Sequence, residues 1–71
     1  MKKTEKERKI FCDMLVEARK SKKMSTYTIA EIANIKRPYI SMIENAKVSA
    51  SIDTVIKYLD AIDYKLVIEK K

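Results

Sequence analysis

The chain has no glycine, no histidine and no tryptophan, and its 71 residues include only one cysteine and one proline. Each absence narrows the chemistry. Without histidine there is no base poised near neutral pH, and without glycine there is no glycine-rich phosphate loop. The single thiol, Cys12, excludes an intramolecular disulfide and leaves no cluster of soft ligands for zinc, and nothing points to an oxidising compartment. The ten carboxylates are scattered among lysines with no metal spacing. The expectation is therefore a protein that is not an enzyme and needs no cofactor or metal. Long apolar runs are missing too. The basic start Met1-Lys2-Lys3 leads into Thr4-Glu5-Lys6-Glu7 where a secretory signal would be apolar, and no run reaches transmembrane length. A cytoplasmic protein with no membrane partner is expected.

What the chain does have is positive charge. Its net charge is +6, and the first twenty-four residues hold nine of the sixteen basic side chains. Such an excess suits phosphate, although a lysine-rich solvated surface explains it equally well. The length allows one domain, with a core too small to supply more than a few kcal/mol unless an oligomer interface adds to it.

Apolar periodicity divides the chain into four helices. Thr4-Glu5-Lys6-Glu7 has capping-box spacing, and Phe11, Met14, Leu15 and Ala18 follow at helical intervals up to a basic end at Lys20, Lys22 and Lys23. Ser25 caps a short second helix with Ile29, Ala30 and Ala33 inward. Asn34 should stop that helix, since asparagine takes the left-handed conformation at low cost, and Asn34-Ile35-Lys36 is a tight turn. A third helix starts near Arg37 with Pro38 in its first turn, Ile40 and Ile43 inward, and Arg37, Pro38, Tyr39, Met42 and Asn45 outward. Ser51 caps a fourth, whose apolar side is Ile52, Val55, Ile56, Leu59 and Ile62. Beyond Asp63 the period becomes two: Tyr64, Leu66 and Ile68 alternate with Lys65, Val67 and Glu69, as in a strand. No second strand-like segment exists to pair with it, so the simplest partner is another copy across a twofold axis; a frayed tail is the alternative.

A more specific pattern runs through these elements: Met24-Ser25-Thr26, Ile29-Ala30, Ala33-Asn34-Ile35, Ile40-Ser41, Ile43-Glu44-Asn45 and Lys47, with the intervening spacings kept. It resembles the lambda Cro and repressor-like (XRE-type) helix-turn-helix family over roughly residues 10 to 63. The resemblance implies an all-α, four-helix DNA-binding domain, taken here as residues 1–63, and the two-residue period beyond it leaves residues 64–71 as a C-terminal strand for dimerisation through Tyr64, Leu66, Val67 and Ile68. It also implies an ion pair between Arg19 and Glu44 that ties the first helix to the end of the third. Three family glycines are replaced here, by Asn34, Ala46 and Asp63. The first and last tolerate a left-handed backbone, whereas Ala46 should be mildly strained.

The third helix is the element suited to a major groove, with its N-terminal side chains at base edges. Arg37 is best placed, because its planar fork can take guanine O6 and N7 together; Pro38 stands at a family base-reading position but has no donor to offer. Tyr39 and Met42 complete the base-facing set unless they pack on neighbours. Thr26, Lys36, Asn45 and Lys47 are the phosphate candidates, with a solvated surface the plain alternative for Lys36 and Arg37. The function implied is a dimeric, sequence-specific repressor on a palindromic operator in double-stranded DNA. Prophage repressors and restriction-modification controllers share these helices. A second reading is a protein-interaction module whose strand grips a partner, as in the antitoxin of a toxin–antitoxin pair that also represses its own operon. Cys12 is expected to be a small apolar filler on the first helix.

Overall fold

A computed structural model of the chain describes residues 3–70, in which α1 spans Lys3–Ser21, α2 Thr26–Ala33, α3 Arg37–Glu44 and α4 Ile52–Ala61. Met1, Lys2 and Lys71, at the ends of the two expected segments, lie outside the described residues. The architecture is all-α, and α2 packs against α3 and α4 while α1 packs against α3. Leu15 of α1, Ile29 and Ala33 of α2, Ile40 and Ile43 of α3, Tyr58 and Leu59 of α4 and Ile62 just beyond it form the core. Ile29, Ile40 and Tyr58 are wholly inaccessible to solvent.

Several expectations are corrected. Thr4 already lies inside α1, so it does not cap the helix. Met14 is exposed and Phe11 only half-buried, while Cys12 and Leu15 face the core. The α1 stripe is thus rotated toward positions 8, 12, 15 and 19. In α4 both Ile52 and Ile56 are exposed and Tyr58 is buried with Leu59 and Ile62. That helix is apolar on two sides, and the side holding the larger aromatic residue went inward because it buries more area.

The four helices end alike, without any glycine. Lys23, Asn34, Ala46 and Asp63 have φ between 56° and 63°, in the left-handed region. After each, the next amide reaches back five residues: Met24 N to Arg19 O, Ile35 N to Ala30 O, Lys47 N to Met42 O and Tyr64 N to Leu59 O, at 2.9–3.2 Å. These are the long bonds of Schellman caps, which satisfy carbonyls that the helix leaves open. Three of the four positions were expected from the replaced glycines; Lys23 was not. A lysine carries no sequence signal for a left-handed backbone.

Among the described residues the expected C-terminal strand is not formed. Residues 64–70 form neither helix nor strand, and a lone segment with no neighbouring strand has nothing to ladder with. Tyr64 is anchored by its phenol oxygen 3.2 Å from Ser21 Oγ, with Lys22 Nζ 5.6 Å from its ring centroid. Leu66 is partly covered, Val67 is 71% exposed and Ile68 99% exposed. No described helix is long and apolar enough to cross a membrane.

Candidate nucleic-acid interface

The candidate interface comprises the two short helices α2 and α3 and the turn between them. Ser25, extended at φ −83° and ψ 162°, accepts a hydrogen bond from Thr28 N at 3.1 Å and so starts α2 where the serine cap was expected. Asn34 at φ 57° and ψ 47° stops α2 by giving its amide to Ala30 O. Lys36 then opens α3 without any side-chain bond to the helix amides, and Pro38 lies in the first turn, where a missing N–H costs least. Ile35, half-buried on the core, holds the turn down while Lys36 and Arg37 remain in solvent.

The outward side of α3 carries Arg37 and Pro38, both exposed, and Met42, 41% exposed. Tyr39 is different: it is half-buried and packs against the core, with only part of its ring available at the surface. Of the phosphate candidates, Lys36 and Lys47 are exposed and Thr26 is half-buried at the start of α2. The Asn45 side chain turns back on its own helix, its amide nitrogen giving 2.8 Å to Ser41 O. One of its two N–H groups is used in that bond, which leaves the other for a phosphate.

Behind α3 lies a buried polar network. Arg19 Nε is 2.8 Å from Glu44 Oε2, Arg19 Nη2 is 3.1 Å from Oε1, and the remaining Nη1 caps Met24 O at 2.9 Å. The guanidinium thus spans the end of α1, the loop before α2 and the last residue of α3. Its hydrogen bond to Glu44 raises the Arg19 pKa above the ordinary value against the opposing effect of burial. Tyr58 of α4 completes the site by donating its phenol hydrogen to Glu44 Oε2 at 2.5 Å. Burial first, and then the bond to Glu44, push the Tyr58 pKa well above the usual phenol range. Three donors satisfy one carboxylate at the negative end of α3, where a lone anion would be unfavourable.

A family model described as Helix-turn-helix matches residues 15–68, which takes in both helices of the motif and the Glu44–Tyr58 pair. The chain belongs to the XRE-type helix-turn-helix family. It is a DNA-binding transcription regulator of that type. No curated protein and no solved structure matches the chain.

Two residues of the family domain escaped the sequence reading. Tyr58 had a signal, since positions 55, 58, 59 and 62 form a helical stripe as regular as the one chosen. Tyr27 had none. It is 67% exposed on the first turn of α2, yet the guanidinium carbon of Arg37 lies over its ring, 4.9 Å from the centroid. Only the folded turn brings these two positions together. Cys12, by contrast, is 4% exposed in the α1 stripe, and burial pushes its thiol pKa up, which makes it a poor nucleophile and a good small apolar filler.

Proposed function

We propose that the protein is a sequence-specific repressor that binds a near-palindromic operator as a homodimer, in the cytoplasm, with α3 of each copy in successive major grooves roughly 34 Å apart. The observation that carries this reading is the exposed N-terminal end of α3, with Arg37 and Pro38 in solvent and Lys36 beside them, held against α2 by a turn closed at Asn34. Arg37 reads a guanine, Pro38 and Met42 meet base edges by apolar contact, and the accessible part of Tyr39 lies beside them. Thr26, Lys36, Asn45 and Lys47 contact phosphates and fix register without reading sequence. Residues 1–63 make up the DNA-binding unit and residues 64–71 the dimerisation tail. Support for the tail's role comes from its exposed apolar side chains, Val67 and Ile68 above all, which a solitary chain would hold in water for no gain. Occupation of the operator blocks polymerase.

The same exposed tail favours a second reading, in which it adds as a strand to a protein partner, as an antitoxin grips its toxin, with autoregulation of the operon as the accompanying role. Fluorescence anisotropy on a duplex from upstream of the gene, against a scrambled duplex and across a salt series, tests the sequence-specific binding on which the repressor reading depends. Cognate binding many-fold tighter than scrambled at physiological salt is expected. Equal, weak binding that collapses with salt is charge attraction only and favours the protein partner.

A further inference from the structure

An exposed tyrosine with no core role calls for a reason, and here its neighbour supplies one. Arg37 is the first residue of α3, at the positive end of that helix, with no acidic residue in the first turn. Among the described residues no carboxylate bridges it, and its guanidinium carbon lies over the ring of Tyr27, 4.9 Å from the centroid. The nature of that contact matters. A carboxylate would hold the guanidinium by occupying the same N–H groups that a guanine needs, and it would repel the phosphates alongside. An aromatic face attracts the cation through its quadrupole and uses none of the five donors, so the fork is held in place with its hydrogen-bonding edge open.

We propose that Tyr27 is the positioning residue for base reading: its ring is a shelf that restricts the Arg37 guanidinium before DNA arrives, and so sharpens discrimination at the base pair that Arg37 reads. This rests on the DNA-binding reading above and names a specificity determinant within it. Because Tyr27 acts through Arg37, its effect is confined to one position of the site and leaves phosphate contacts untouched.

The test is selection of sites from a randomised duplex pool by the wild-type protein, followed by affinity measurements on the selected duplex, its single-base-pair variants and a scrambled duplex. Tyr27→Ala and Tyr27→Leu are expected to fold as the wild type does, since the residue is 67% exposed, and to lower discrimination about two- to fivefold at one base pair. Scrambled-duplex affinity and the salt slope stay unchanged, and Tyr27→Phe keeps full discrimination because it keeps the ring. In an Arg37→Ala background, Tyr27→Ala has no further effect at that position. Three results overturn the proposal: Tyr27→Phe losing as much as Tyr27→Ala, which makes the hydroxyl the active group; additive losses with Arg37→Ala; or full discrimination retained by Tyr27→Leu. A wild-type protein that selects no motif overturns the DNA-binding reading itself, and is told apart from these because it appears before any variant is made.

Discussion

Tyr58 gives its only phenol hydrogen to Glu44, 2.5 Å from an oxygen that also accepts Arg19 Nε, so a residue of α4 is locked to the last residue of α3. The carbonyl of Leu15, 3.4 Å from the same phenol oxygen, is too distant to share that hydrogen well. A phenol O–H on a carboxylate oxygen makes a charge-assisted bond, shorter than a neutral one. Glu44 is 9% exposed, and removing any donor leaves a buried carboxylate less than satisfied.

Tyr58→Phe is accordingly expected to destabilise the protein by about 2 kcal/mol, lowering the melting temperature by roughly 10 °C in a domain of this size. Arg19→Ala should cost more, about 3–5 kcal/mol, because it strips the carboxylate of its counter-charge. Urea unfolding of both variants checks the order; a Tyr58→Phe protein as stable as the wild type would show that the phenol contributes packing alone.

The raised Tyr58 pKa has an alkaline consequence. The phenol is neutral when protonated, and folding favours that form, so its contribution is complete below the unfolded-state pKa of about 10 and is lost as pH rises through the folded-state value. Stability measured from pH 8 upward should fall once pH passes 10, and should fall less steeply in Tyr58→Phe. Identical alkaline profiles would assign the fall to other groups.

Left-handed caps built without glycine carry a cost that substitution can remove. Ala46→Gly and Lys23→Gly, at φ 57° and 56°, should each stabilise by about 0.5–1 kcal/mol, the relief of Cβ strain less the added freedom of the unfolded chain. Asn34→Gly should change little, since asparagine already tolerates the conformation. The urea midpoint should move with the slope unchanged. A midpoint lowered by both glycines would mean that neither position is strained.

The tail gives a clean separation of folding from association. Ile68 is 99% exposed and Val67 71%, so Val67→Asp with Ile68→Asp should leave monomer unfolding within about 0.5 kcal/mol of wild type while weakening self-association at least tenfold by sedimentation. Wild-type dimerisation in this double variant would exclude the tail as the main interface.

Much of this was legible in the sequence, and the gaps have physical causes. Helices α2 and α3 announced themselves through Ser25, Asn34 and Pro38, local signals that act within a few residues. The face of α4 did not, because Ile52 and Ile56 compete with Tyr58 and only tertiary packing decides between two apolar sides. Lys23 has no intrinsic preference for its backbone conformation; the Schellman cap imposes it. The 64–69 alternation reads as a strand, but a strand is a property of a pair, and one chain supplies half of it. Tyr27 beside Arg37 depends on the angle between two helices, which no spacing rule states.

The most direct test of the account is the effect of Arg37→Ala and Lys47→Ala on cognate and scrambled duplexes, measured by anisotropy across a salt series. Arg37→Ala should lose about 1–3 kcal/mol on the cognate duplex and little on the scrambled one, relaxing one position of the site. Lys47→Ala should weaken both alike and reduce the salt slope by about one. Equal loss on both duplexes for Arg37→Ala would contradict the assignment of α3 as the helix that reads sequence.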